Sequence, residues 1–232
     1  MKTYSLYPSL FDAYVYMQSA EDAEQYAERK QALLDSLNRV ASEPTEAASR
    51  GTALNNLVDC VVKDTLRPDF ETYEASIDGF GFTFDGKLVS NLASLFRGCI
   101  CQCFTSAEIE TSKGVVRLYG YPDYVCGDVV LDLKTTSTYT VGKYREKWQS
   151  KVYPYCLVTS QQIAECAEFR YVVAELEKDR KTGVISGEIY GESYYNDFAT
   201  CANDIRHFLE CDFLPFIEDN RHLINNDKIF SR

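Results

Sequence analysis

The spacing of apolar residues changes along the chain, and each change predicts a new element. Residues 9–19 and 21–41 carry apolar side chains at helical spacing, the second stretch rich in Glu, Gln, Ala, Lys and Leu. Ser42-Glu43-Pro44-Thr45-Glu46 interrupts the pattern as a linker. A third helix is expected over 47–64, its apolar face formed by Leu54, Leu57, Val58, Val61 and Val62, with Cys60 in the same apolar stripe. Asn55 and Asp59 stand one turn apart on a different face. Asp78-Gly79-Phe80-Gly81-Phe82 reads as a turn-rich stretch leading to a short helix over 88–97.

Strands follow. They are expected over 100–110 and 115–121, joined into a hairpin by Ser112-Lys113-Gly114, and then over 129–135. A long helix over 143–159 comes next, with Trp148, Val152 and Tyr155 facing the core. A second hairpin, 169–176 and 183–190, turns at Lys181-Thr182-Gly183, and the end of the chain is helical over 195–224 with a break near Pro215. Helices, a small mixed sheet and then helices predict an α/β fold, with the sheet at the centre of three layers. The 232 residues suit one domain: a helical N-terminal part over 1–49, a core over 50–190 and a helical C-terminal part over 191–232.

Composition narrows the class. A hydrophobic fraction of 45% with 13% aromatics argues for an ordered globule. Met1-Lys2-Thr3-Tyr4-Ser5-Leu6-Tyr7 lacks the apolar stretch of a signal peptide. No apolar run approaches the ~18 residues of a membrane helix. The expected setting is therefore soluble and cytoplasmic, with no membrane partner. The nine cysteines are then expected reduced and mostly buried. Cys99, Cys101 and Cys103 alternate along the expected strand and share one face, a spacing that favours packing over the Cys-x-x-Cys turns of zinc sites. His207 and His222 are assigned to surface or packing roles, and no P-loop or Ser–His–Asp order is present.

The net charge of −11 weighs against broad binding of a polyanion, although the local distribution of charge governs the field at a cleft. Lys143, Lys147 and Lys151 recur every four residues along the expected helix, with Arg145 nearby, and make a candidate phosphate track.

The densest chemistry lies in Gly120-Tyr121-Pro122-Asp123-Tyr124-Val125-Cys126-Gly127-Asp128-Val129-Val130-Leu131-Asp132-Leu133-Lys134. Alternation along the expected strand puts Val130, Asp132 and Lys134 on one side and Val129, Leu131 and Leu133 on the other. With Asp123 delivered by the preceding strand and Asp128 left to the turn, two carboxylates and one ammonium converge. Such a set suits a hard divalent cation. The lysine can then orient a water or meet negative charge building on a phosphate.

Pro122-Asp123 and Asp132-Leu133-Lys134 resemble the PD-(D/E)XK motif of a nuclease superfamily. Gln149 and Tyr153, in a Gln-x-x-x-Tyr pattern, narrow the resemblance to the RecB-like exonuclease branch, and Arg50-Gly51-Thr52-Ala53-Leu54-Asn55 resembles that branch's first motif. The family usually has histidine where this chain has Asn55. The ordered set spans roughly residues 50–157.

The resemblance implies a restriction-endonuclease-like core and hydrolysis of DNA from a free end with Mg²⁺ or Mn²⁺. Its catalytic set is Asp123, Asp132, Lys134, Gln149 and Tyr153. Its metal ligands are Asp123, Asp132, the Leu133 carbonyl and the residue at Asn55, where three alternatives stay open: Asn55 binds the metal, Asp59 replaces it, or the site is weakened or inactive. Some members carry an iron–sulfur cluster on C-terminal cysteines; here only Cys201 and Cys211 lie near that end, so none is expected. No helicase motor is present, so unwinding is expected from a helicase or recombination partner or from an end already opened, and a ring-shaped oligomer would favour processivity. The rival readings are a relative with a decayed metal site that binds nucleic acid or protein, an acidic module that mimics DNA, and an endonuclease.

Overall fold

The computed structural model describes residues 2–230. In chain order its elements are β1 (Thr3–Leu6), α1 (Pro8–Gln18), α2 (Ala23–Asn38), α3 (Glu46–Val62), β2 (Thr72–Ile77), β3 (Phe80–Asp85), α4 (Gly86–Leu95), β4 (Ile100–Cys101) and β5 (Thr105–Thr111). They continue with β6 (Gly114–Gly120), β7 (Tyr124–Cys126), β8 (Val129–Thr136), α5 (Gln149–Thr159), β9 (Glu168–Lys178), β10 (Val184–Tyr194), α6 (Phe198–Phe208) and α7 (Leu214–Asp219). Four helices begin where a side-chain oxygen accepts an otherwise unpaired amide: Asp22 for α2, Thr45 for α3, Asp85 for α4 and Asp197 for α6.

The strands form two sheets. A seven-stranded mixed sheet has the order β2-β3-β10-β9-β8-β7-β4, with β8 parallel to β9 and β3 parallel to β10. A three-stranded sheet has the order β1-β6-β5. On one face of the larger sheet, Leu131, Leu133, Val172, Ala174 and Leu176 pack against α3 and α4. On the other, Val130, Phe169, Tyr171 and Val173 pack against Tyr153 and Leu157 of α5. The opposite side of α5, through Val152, Tyr155 and Cys156, packs with Ala107, Ile109, Val116 and Leu118 of the smaller sheet. Thus α5 is wedged between the two sheets. The α/β class agrees with expectation, and the central sheet is larger than the pattern suggested, with a second sheet beside it.

The expected hairpins form as β5–β6 and β9–β10, and Trp148, Val152 and Tyr155 all join the core. Three expectations fail for definable reasons. The stretch from Asp78 to Phe82 is the centre of a hairpin, β2–β3, because Asp78 and Gly79 both take positive φ, 52° and 83°, the backbone of a two-residue turn. The strand expected over 100–110 breaks at Gln102, whose φ is 52°. Cys99, Cys101 and Cys103 therefore share no strand face: Cys101 stands opposite Tyr124 at the end of the larger sheet, whereas Cys103 lies against Gln162. All nine cysteines are free, but only Cys156 and Cys201 are buried, and Cys60 and Cys211 are exposed.

The third failure concerns the long helix. Helix α5 starts at Gln149, and residues 141–146 are turns. Glu192 of β10 is the cause: its carboxylate accepts the Gly142 and Tyr144 amides and the Tyr139 and Tyr194 hydroxyls. One acceptor from a distant strand, taking three donors of residues 139–144, holds this segment out of helical geometry. At the other end, the helical stretch breaks before Pro215 through a π-helical turn at Leu209–Phe213. Among the described residues, no helix is long and apolar enough to cross a membrane.

Because Glu192 is nearly buried and satisfies four donors, Glu192→Ala should lower unfolding stability by about 2–4 kcal/mol, measured by urea denaturation. Glu192→Gln, which keeps the acceptor oxygen, should cost less than half of that.

Candidate active site

Strand β8 carries the site because its two faces meet different partners. Asp132 lies on the face toward α5 and is only 2% exposed. Lys134 Nζ stands 2.6 Å from Asp132 Oδ2, off the hydrogen-bonding direction, and Asp132 Oδ1 accepts from Gln149 Nε2 at 2.9 Å. Gln149 is the first residue of α5, and Tyr153 follows one turn later, buried with its ring against Gly120. A Cβ at Gly120 would come 2.6 Å from Tyr153 Cε1, so glycine is required there. Burial, with Asp132 and Asp123 adding, pushes the Tyr153 phenol far up and keeps it neutral.

Asp123 reaches the site through a vacancy in strand pairing. Strand β7 pairs with β8 only as far as Tyr124 opposite Leu131. Beyond that point Asp123 takes over: Oδ2 accepts the Leu133 amide at 2.9 Å, and Oδ1 accepts from Gln102 Nε2 at 3.3 Å. The N–H and C=O of one strand residue point to the same edge, so the Leu133 carbonyl faces the same side. Burial first, and then the Asp132 charge, raises the Asp123 carboxyl to about 7. Burial pulls Lys134 down, but Asp132, Asp123 and Asp12 together outweigh it and hold the ammonium above its ordinary value.

Asp12 of α1 is a third carboxylate that no local pattern marked. Its Oδ1 accepts the Trp148 amide at 3.0 Å just before α5, and its pKa is raised by burial. Only the packing of α1 against α5 brings it near Lys134.

Helix α3 crosses the other face of β8. Gly51 lies against Thr135, where a Cβ would sit 2.7 Å from Thr135 Oγ1, and two turns later Asp59 Oδ1 accepts the Tyr124 hydroxyl at 2.6 Å. Asn55 stands between these contacts, over the stretch of β8 that holds Leu133, and its amide oxygen is buried without a partner. Asp59 also pairs with Lys63 at 3.1 Å, so both of its oxygens already have partners.

Among the described residues, no three His, Cys, Asp or Glu side chains are arranged to hold a metal ion. Asp123 meets the charge of Asp132 and the backbone of Leu133, so two carboxylates and the Leu133 carbonyl gather at one edge of β8, while the unpartnered Asn55 amide belongs to the helix on its other face. That set fits a hard cation and offers no soft ligand.

The three lysines do not form one helical stripe. Lys143 lies in the turns before α5 and donates to Thr136 Oγ1 and the Thr138 carbonyl. Lys147 precedes α5, 3.9 Å from Asp12, and Lys151 within α5 pairs with Asp204 at 2.7 Å. His207 and His222 are exposed.

No family model matches the chain, and no curated protein matches it. A solved structure described as the crystal structure of SSO0001 aligns with 78% of this chain and 84% of its own, at 13% identity and a TM-score of 0.33. A likeness this slight bears on neither fold nor function.

Because the folded chain holds the Asp123 proton to higher pH than the unfolded chain does, stability should fall as pH rises from the ordinary 3.8 through about 7 and then level off. A rise from 3.8 to about 7 converts to a loss of about 4 kcal/mol. Asp123→Asn should flatten that part of the stability–pH curve and be the more stable chain at alkaline pH without added metal, as read by thermal melts.

Proposed function

We propose that the chain is a metal-dependent DNA exonuclease of the PD-(D/E)XK superfamily, and we read α3 and α4, the larger sheet and α5 as its restriction-endonuclease-like core. The observation that carries this reading is the Asp132–Lys134 ion pair, braced by Gln149 and flanked by the raised carboxyl of Asp123. Isolated surface acids have ordinary explanations. A buried carboxylate and a partly buried ammonium two residues apart, with a second carboxylate capping the same strand, call for a ligand or a reaction.

Asp123, Asp132, the Leu133 carbonyl and Asn55 would hold Mg²⁺ or Mn²⁺, which supplies Lewis acidity at the phosphate and lowers the pKa of water. Lys134, kept cationic by three carboxylates, holds a water at Nζ and meets the negative charge that develops on a phosphate oxygen. Gln149 fixes the orientation of Asp132. Tyr153 walls the site on the side of Gly120 and excludes water there. Lys143, Lys147 and Lys151 contribute phosphate contacts only by exchanging their present partners. The substrate is DNA with a free end, any unwinding comes from a helicase or recombination partner, and a ring of several copies would make digestion processive.

A second reading, a nuclease fold that binds without cutting, is favoured by one feature. Asn55 stands where the resembled family has histidine, and a neutral amide oxygen is a weaker ligand than a carboxylate. The two readings differ in whether Asp132 and Lys134 matter to turnover.

End-labelled linear DNA incubated with Mg²⁺ or Mn²⁺ should lose nucleotides. Asp132→Ala and Lys134→Ala should each slow this by about 10²–10⁴-fold. Gln149→Ala, which only frees Asp132, should have a smaller effect. Absence of digestion by the unaltered chain with either metal would rule for the non-cutting reading.

A further inference from the structure

One face of the smaller sheet lies outside the core. Along β6 the residues alternate: Val116 and Leu118 are buried, whereas Arg117 and Tyr119 point outward. Two adjoining clefts open over that outward face. One, of about 300 Å³, lies among Arg39, Phe104, Arg117, Tyr119 and Lys228. The other, of about 440 Å³, shares Arg39 and Tyr119 and runs past Tyr121 and Gly120 to Tyr153. The combined groove thus ends at the residue that stands between it and the carboxylates.

Its lining is unusual for a chain of net charge −11. Arg39, Arg117 and Lys228 take part in no ion pair among the described residues. Glu108 stands opposite Arg117 across β5–β6 without forming one. The Arg39 guanidinium donates to the Tyr119 hydroxyl at 2.8 Å, which sets it at the junction of the two clefts. Phe104 and Tyr121 are 44% and 54% exposed, their ring centroids 5.2 Å apart, so large apolar faces stand in solvent beside three unpaired cations. Exposed rings stack on bases, and cations neutralise the phosphates that link those bases. A duplex, whose bases already stack on one another, would use the cations but leave the rings idle.

We propose that this groove holds a single-stranded segment of nucleic acid, with bases against Tyr121 and Phe104 and phosphates along Arg39, Arg117 and Lys228, leading toward Tyr153. The inference rests on the nuclease reading for its purpose, while binding itself is independent of cleavage.

The test is fluorescence anisotropy of a labelled dT oligonucleotide with the full chain in EDTA, with digestion in Mg²⁺ followed separately. The combined Phe104→Ala and Tyr121→Ala variant should bind about 10-fold or more weakly, because each stacked base is lost. Both side chains are largely exposed, so truncation leaves the core intact. The combined Arg117→Ala and Lys228→Ala variant should lower the slope of log affinity against log salt by about 1.4, for two phosphates. A blunt duplex should bind the aromatic variant as it binds the unaltered chain. Groove-dependent binding of the single strand supports the inference, whether or not digestion occurs. No binding, binding indifferent to these substitutions, or equal loss of duplex binding in the aromatic variant overturns it, even if digestion proceeds.

Discussion

Between β8 and α5 the chain buries a carboxylate beside Val130, Tyr153 and Tyr171 and holds a partly buried ammonium 2.6 Å from it, and much of the surrounding arrangement serves to keep those charges compensated. Taking an ion pair out of water costs several kcal/mol per charge, and a replacement by apolar side chains of similar volume is often no less stable. The pair is therefore a poor choice for stability alone. Gln149, placed by the start of α5, satisfies the second oxygen of Asp132, and the position of that start depends on Glu192 and Asp12. Glu192 holds residues 141–146 out of the helix, and Asp12 receives the last free amide before it. Three acids on β10, α1 and β8 thus cooperate in placing one amide side chain.

The second constraint is the early end of β7. A strand that stopped beside an exposed neighbour would leave the Leu133 amide unpaired in a partly buried place. Asp123 fills that role with a side chain, bringing a carboxylate toward Asp132 at the cost of a raised pKa. One residue both closes the ladder and concentrates negative charge. The orphaned amide oxygen of Asn55, delivered by α3 across the other face, adds to the same imbalance. Unneutralised oxygens of this kind are what a cation would relieve.

Much of this was legible in the sequence where order is local. The alternation of Val129 to Lys134 correctly divides β8 between its two faces, and helical spacing finds α1 to α3 within a few residues of their ends. What escaped has a different character. Asp78-Gly79 carries the signal of a tight hairpin, and the alternating Phe80, Phe82 and Phe84 supply the strand, yet the glycines there read as loop. The helix before Gln149 looked continuous because Lys143, Lys147 and Lys151 fit its period. Glu192, nearly fifty residues away, overrides that period, and no neighbouring residue announces it. Asp12 was invisible for the same reason. Proximity of Asp123 to Asp132 could be read because a short turn joins their strands; the basic stripe could not survive, since Asp12, Asp204 and Thr136 reach its members from separate elements.

The central claim is that Asp123 and Asp132 are held together as half of a cation site. Calorimetric titration of Mn²⁺ at pH 7, repeated in buffers of different ionisation enthalpy, tests it most directly, because a cation must displace the proton that the raised Asp123 carboxyl retains. The account predicts saturable binding accompanied by release of a fraction of a proton, with that release absent in Asp123→Asn. Failure to bind Mn²⁺, or binding with the same proton release after Asp123→Asn, would contradict it.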